Sequence, residues 1–279
     1  MGAGYGFDHV AVTFGHQVAV HDVTLDLPPG RITALVGGDG AGKTTLLRCL
    51  AGRVPPSAGR VRGADVPHTG VRAAGPPGWD ELTVAENLAF AARVRRLDGA
   101  RARERTSALL DATGLGGATD RLASRLSGGM RRKLGFALAT LHRPDLLLLD
   151  EPTTGVDPVS RTDLWRLMAT AARDGATVVL ATTYLDEAER CTQALALDAG
   201  EVLAQGTPDA IIDRVRGQLY DAPERGDHDR SWRRGPSWRV WAPTGGAPGA
   251  TAVEPDLEDA VTIAMLERLH DVRALTEVA

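Results

Sequence analysis

The stretch Gly37-Gly38-Asp39-Gly40-Ala41-Gly42-Lys43-Thr44-Thr45 has the residue types and spacing of a phosphate cradle, G-x-x-x-x-G-K-(S/T). Glycines let backbone N–H groups turn inward with no Cβ in the way, and a helix that follows aims its positive end at the same charge. Lys43 is a compact cation that suits the β- and γ-phosphates of a nucleotide, and the Thr44 hydroxyl suits Mg²⁺. Of the 32 Lys plus Arg only Lys43 and Lys133 are lysines, so an arginine-rich chain places an ammonium where a planar fork would not fit. The bland alternative is a glycine-rich turn before a helix. Strand-like Arg31 to Val36 on one side and helix-like Leu46 to Ala51 on the other argue against it. A second pair of groups, Asp150 and Glu151, ends the apolar run Leu146 to Leu149. Alone, paired acids there suit a solvated turn. Beside a phosphate loop, Asp150 suits the Mg²⁺ shell and Glu151 the orientation and polarisation of an attacking water.

The elements that must position these groups follow from pattern. Residues from about 7 to 36 and Arg60 to Arg62 read as strands, with a Pro28-Pro29-Gly30 turn between the second and third. The Gly/Pro-rich stretch from Asp65 to Asp80 reads as an irregular loop. Thr83 followed by Glu86 forms a capping-box pattern that opens a helix to about Arg96. Further helices over Arg101 to Thr113 and from Gly128 to about His142 complete a helical insertion. Leu146 to Asp150, Ala176 to Thr182, Gln193 to Leu197 and Val202 to Gln205 read as strands, with a short acidic helix at Tyr184 to Arg190 and a Thr207-capped helix to about Arg216. Apolar strands alternating with helices imply a parallel sheet with chemistry at the strand ends.

With 279 residues the chain has room for one large domain and a small appendage. No apolar run approaches the roughly 18 to 20 residues of a membrane span, and the N-terminus lacks a secretion signal's basic start and apolar core. Residence in the cytosol is expected. Cys49 and Cys191 lack metal or disulfide spacing, and the seven histidines are scattered, so no structural metal site is expected. A net charge of −4 without a long basic run argues against a sequence-independent grip on nucleic acid.

Ordered motifs over residues 7 to 216 make the chain resemble the ATP-binding subunit of an ABC transporter. The Walker A motif is Gly37 to Thr45, the signature Leu126-Ser127-Gly128-Gly129-Met130, the Walker B strand Leu146 to Asp150 with Glu151 after it, and the D-loop Gly155-Val156-Asp157-Pro158. The resemblance implies an α/β P-loop NTPase fold: a RecA-like core, an antiparallel β subdomain, a helical subdomain at about 80–142, and a linker with a small accessory region over 217–279. It implies ATP and Mg²⁺ as ligands, Thr44 and Asp150 toward the metal, and Glu151 and Lys43 in catalysis. Ser127, Gly128 and Gly129 would meet the γ-phosphate held by a second cassette, so a homo- or heterodimer is implied. A separate transmembrane permease, with this subunit peripheral on the inner face of the membrane, is implied too. Phe14 stands where the family stacks an aromatic on adenine; periodicity alone fits a core aromatic equally well.

The sequence departs from the family at two places. Thr183 stands where the family has a histidine, and a hydroxyl donates a hydrogen bond but carries no positive charge. Val71 to Trp79 contains no glutamine where the family's loop glutamine is expected. In these respects, and in Asp39 and Met130, the chain is similar to histidine-lacking exporter cassettes that form one half of a pair. The implied function is an ATP-hydrolysing exporter motor. The rivals are a catalytically weak cassette in an asymmetric dimer and a soluble ABC ATPase acting on nucleic acid or ribosomes, for which the long coiled coils or basic linkers are missing. In the tail, Asp221 to Arg234 reads as a mobile linker, Ser237 to Trp241 as a strand and Leu257 to Leu269 as a helix. Trp232, Trp238 and Trp241 with Arg233, Arg234 and Arg239 suit either lipid headgroups and a partner or the packing of the appendage itself.

Overall fold

The computed structural model describes residues 4–63, 66–227, 229–247 and 249–277, with side chains for all of these except 66 and 271–277. β1 (Tyr5–Phe14) and β2 (Gln17–Leu27) pair antiparallel, and β3 (Ile32–Val36) follows the Pro28-Pro29-Gly30 turn. α1 (Lys43–Leu50) leaves the glycine loop, and β4 (Ala58–Arg62) returns antiparallel to β1. The stretch read as an irregular loop instead contains a 3-10 turn at Val66–His68 and a strand, β5 (Thr69–Arg72), which runs parallel to the leucine strand at 146–150. Gly70 hid that strand. A Cβ there would lie 2.2 Å from the Ala139 carbonyl oxygen, so close packing against a helix requires the residue that most weakens a strand signal.

The helical insertion comprises α2 (Val84–Val94), α3 (Gly99–Thr113) and α4 (Gly128–Thr140). The capping box forms as its sequence predicts: Glu86 N–H donates to Thr83 Oγ1 at 3.2 Å, and Thr83 N–H donates to Glu86 Oε2 at 2.8 Å. Val84, Leu88, Leu109, Leu115, Leu134 and Leu141 form a core separate from that of the sheet.

β6 (Leu146–Asp150), α5 (Pro158–Arg173), β7 (Thr177–Thr182), α6 (Leu185–Ala188), β8 (Gln193–Asp198) and β9 (Glu201–Gly206) complete the central sheet. Its order is β5-β6-β7-β3-β8-β9, parallel except for β9 at the edge. Successive side chains take opposite faces. Leu147, Leu149, Val178 and Leu180 pack toward α4 and α5, whereas Leu146, Leu148, Val179 and Ala181 pack toward α1 and the β1–β2 layer. Apolar on both faces, β6 and β7 read as continuous apolar runs, as a covered parallel sheet demands. The expected fold class, an α/β P-loop core with an antiparallel β layer and a helical insertion, is the one observed.

α7 (Pro208–Ile212) is shorter than its sequence suggests. After it, β10 (Gln218–Ala222), β11 (Ser231–Arg234), β12 (Ser237–Ala242) and β13 (Thr251–Val253) form an antiparallel sheet of order β11-β12-β10-β13, followed by α8 (Leu257–Glu277). Two of these strands occupy the stretch read as a mobile linker. Two of its charges are paired within the fold: Arg234 donates to Asp259 Oδ1 at 2.8 Å and also binds Asp256, and Asp221 pairs with Arg239 at 3.4 Å. Trp241, 5% exposed, lies in the appendage core with Leu219 and Ile263. Packing therefore accounts for Trp241, Arg234 and Arg239. Leu257 and Ala260 of α8 join the core of the central sheet itself, so the tail is anchored to the ATPase-like body. Leu257→Ala should accordingly destabilise the whole protein by about 2–5 kcal/mol. Urea unfolding followed by circular dichroism checks this; an unchanged midpoint would mean that α8 contributes nothing to the main core.

Candidate functional site

β3 is buried along its whole length and delivers the chain to Gly37. A Cβ on Gly37 would sit 2.2 Å from the Leu197 carbonyl oxygen. Gly42, at φ 103°, caps α1 in a left-handed conformation where a Cβ would meet the Ala19 carbonyl oxygen at 2.7 Å. Both glycines are thus required by geometry. No side chain caps α1 and no acidic residue occupies its first turn, so its opening amides and dipole face the loop unopposed. Lys43, 5% exposed, donates from Nζ to the Gly37 and Gly38 carbonyl oxygens at 2.7 and 2.8 Å. Burial lowers its pKa below that of an ordinary lysine, with Glu151, Asp39 and Asp150 acting in the opposite sense.

The buried strand β6 carries Asp150 to the same place. The Thr44 hydroxyl donates to its carboxylate, with Oγ1 at 3.2 and 3.1 Å from the two oxygens. A hydroxyl and a carboxylate in contact form a hard oxygen donor pair, which is the chemistry Mg²⁺ takes, with remaining positions left to water and phosphate. The residues present therefore fit the metal that the loop implies. The peptide after Asp150 is held from both sides: Glu151 N–H donates to the Ala181 carbonyl at 2.9 Å, and the buried Arg72 donates from Nη1 to the Asp150 carbonyl. Glu151 takes a left-handed φ of 47°, which for a non-glycine residue costs on the order of 1–3 kcal/mol. Its side chain borders the cleft as a result.

That cleft has a volume of 570 Å³ and is lined by Asp39, Gly40, Ala41, Gly42, Lys43, Thr44, Thr45 and Glu151, together with Phe14 and Val18. Phe14 is 51% exposed, so the core-aromatic reading of this residue fails. Gly37, Gly38 and Thr183 border a smaller, neighbouring cavity of 200 Å³ together with Thr262 and Met265 of α8. Ser127, Gly128 and Gly129 are not brought to this cleft. Ser127 caps α4, its Oγ accepting from Met130 N–H at 3.2 Å, and Gly128 lines a separate cavity with Pro76, Pro77 and Gly155.

Three contributors escape sequence inspection. Arg72 sits in the concealed strand β5. Arg132 donates from Nη2 to the Thr154 carbonyl at 3.0 Å beside the D-loop. Glu187, fully buried, accepts from Thr153 Oγ1 at 2.5 Å, Thr182 Oγ1 at 2.7 Å and Arg161 Nε at 3.0 Å, and so ties the segment after Glu151 to the end of β7. In sequence it is one acid among several in a short acidic helix.

Comparison with known proteins agrees with this geometry. A family model described as "ABC transporter" matches residues 20–154. The chain is 42% identical over 228 residues to the daunorubicin/doxorubicin resistance ATP-binding protein DrrA of Streptomyces peucetius, covering 76% of this chain and 69% of DrrA. The chain belongs to the ABC transporter family. It is also 40% identical over 221 residues to the probable multidrug ABC transporter ATP-binding protein YbhF of Escherichia coli, covering 75% of this chain but only 38% of YbhF, so it spans under two fifths of that relative. Among solved structures, an ATP-binding subunit of an ABC transporter superposes with a TM-score of 0.70 at 29% identity, over 76% of this chain and 93% of the other. As in those ABC proteins, the chain is an ATP-binding one.

Burial raises the pKa of Asp150 above the usual aspartate range; the Thr44 hydrogen bond opposes this and Glu151 reinforces it. A carboxylate whose folded-state pKa is raised takes stability away as pH rises from the unfolded value through the folded one. Asp150→Asn should therefore raise the urea midpoint of the nucleotide-free protein at neutral pH, and the gain should shrink as pH falls into the aspartate range. A lower midpoint for the variant at neutral pH would show instead that Thr44 and the nearby cations outweigh burial.

Proposed function

We propose that this chain is an ATP-hydrolysing motor subunit of an ABC exporter, working as a dimer beneath a separate membrane-embedded permease. The observation that carries the reading is the convergence of Lys43, Thr44 and Glu151 on one cleft, with Asp150 bonded to Thr44, while Ser127 to Gly129 lie elsewhere, at the start of α4. A cassette whose own signature does not reach its own phosphate loop needs a second cassette to complete the site. The names of the relatives, one for drug resistance and one for multidrug transport, support export. No helix among the described residues is long and apolar enough to cross a membrane, which fits a subunit peripheral to its permease. An exposed aromatic pair, Trp79 and Phe90, with ring centroids 4.3 Å apart, stands beside the Gly/Pro loop and suits an apolar contact with that permease.

In the proposed mechanism the loop amides and Lys43 bind the β- and γ-phosphates, and Phe14 covers the base. Thr44 and Asp150 would hold Mg²⁺, which supplies charge neutralisation at the phosphates. Glu151 holds the attacking water and takes its proton as the water oxygen bonds to the γ-phosphorus and the bond to the ADP oxygen breaks. Thr183 offers a hydroxyl where a histidine would offer a cation, so transition-state charge is less well met. Hydrolysis is accordingly slow, or faster in a pair with a cassette that supplies a complete site. Glu151→Gln should cut turnover by about two orders of magnitude or more while leaving ATP binding intact. Thr183→Ala should lower turnover further and Thr183→His raise it. Steady-state phosphate release by the purified chain checks all three. A rate cut by Glu151→Gln but indifferent to both Thr183 changes would remove Thr183 from the mechanism.

A further inference from the structure

The appendage contains a cavity of 510 Å³ lined by Arg214, Arg216, Arg230, Trp241, Glu267 and His270. Four parts of the tail converge there: the segment between α7 and β10, the residue before β11, strand β12 and helix α8. Among the described residues the charges are unequal, with three guanidinium groups facing one carboxylate, Glu267. This is unusual for a chain of net charge −4. Neighbouring arginines are internally neutralised, Arg234 by Asp256 and Asp259, Arg239 by Asp221, and Arg268 by Asp198. Among the described residues, Arg214, Arg216 and Arg230 enter no ion pair. A larger cavity under α3 offers a contrast, because there Arg105 and Arg143 are balanced by Asp145 and Asp174.

The cavity is held in shape as well as charged. Trp241 is 5% exposed and uses both of its N–H groups on the arginine-bearing backbone: Nε1 donates to the Arg216 carbonyl at 2.8 Å, and the main-chain N–H donates to the Arg230 carbonyl at 2.9 Å. One buried residue therefore fixes the backbone that carries two of the three cations. Arg230 Nε and His270 Nε2 are buried with no hydrogen-bond partner among the described residues. Buried polar atoms are nearly always satisfied, and those that are not commonly wait for water, an ion or a ligand. Guanidinium forks match the oxygens of a phosphate, and an imidazole nitrogen adds a further polar contact. The volume exceeds that of a bare oxyanion and admits one carrying a small polar group.

We propose that this cavity is a second anion site, remote from the nucleotide cleft, that takes a phosphate ester through Arg214, Arg216 and Arg230. The phosphate of a glycerophospholipid headgroup and that of a free small-molecule ester share this chemistry, and the test separates them. The full chain is titrated with glycerol 3-phosphate by calorimetry, and in parallel is sedimented with vesicles of phosphatidylcholine alone or of phosphatidylcholine and phosphatidylglycerol in equal parts. Wild-type protein should bind at least one probe. Response to the soluble ester alone assigns a free phosphate, response to the phosphatidylglycerol vesicles alone assigns a headgroup, and response to both assigns the shared phosphate. The variant Arg214→Gln/Arg216→Gln/Arg230→Gln should weaken that binding by about tenfold or more, whereas Arg53→Gln/Arg101→Gln/Arg103→Gln, which removes equal charge elsewhere, should not. Thermal unfolding confirms that each variant is folded; should the triple variant not be, Arg214→Gln/Arg216→Gln, confined to exposed residues, takes its place. Failure of wild-type protein to bind either probe overturns the proposal, as does equal loss in the two charge-removing variants.

Discussion

The structure depends most on a carboxylate kept at the buried end of an all-leucine strand. Asp150 is 6% exposed, and removing its charge from water is unfavourable unless neighbours compensate. The compensation comes from α1, where Thr44 donates to the carboxylate and Lys43 and Arg48 contribute positive potential. α1 can be there only because the glycine loop turns tightly after β3, and β3 is placed by parallel pairing with β7 and β8. Sheet order, loop conformation and the buried carboxylate are thus joined through a single hydroxyl–carboxylate contact. A divalent cation at this place would satisfy Asp150 better than a neutral hydroxyl does.

A second layer of polar contacts fixes the backbone beyond Asp150. Arg72 from β5 and the Ala181 carbonyl from β7 hold the two sides of the next peptide, and the left-handed turn at Glu151 results from that grip. Glu187 then ties Thr153, Thr182 and Arg161 together without exposure to solvent. A water-positioning carboxylate is useful only when its backbone cannot drift, since small misplacements of catalytic groups are costly. These buried contacts fix the backbone at Glu151, as the role proposed for it needs, even though the family's histidine and loop glutamine are absent.

Much of this was legible in the sequence wherever local chemistry determines structure. The glycine loop, the Thr83–Glu86 box, the leucine strand and its two acids all announce themselves, because each is set by neighbours within a few residues. Less legible were features set by distant partners. β5 reads as a loop because Gly70 yields its side chain to Ala139, and with β5 Arg72 is lost from view. β10 and β11 read as a linker because their charges look solvated, whereas Asp256 and Asp259, more than twenty residues later in the chain, neutralise Arg234. Glu187 looks like surface acid for the same reason. The family resemblance placed Ser127 to Gly129 near the phosphate of a second cassette, and within one chain they stand apart from the loop.

The central claim is that the loop from Gly37 to Thr45 holds the triphosphate of ATP with its magnesium. Equilibrium titration of the purified chain with a fluorescent ATP analogue, with and without Mg²⁺, tests it most directly, with Lys43→Ala beside the wild type. Saturable binding that strengthens with Mg²⁺ and falls by about tenfold or more in the variant is the expected result. Wild-type protein that shows no saturable binding, or a Lys43→Ala variant that binds as tightly as wild type, would contradict it.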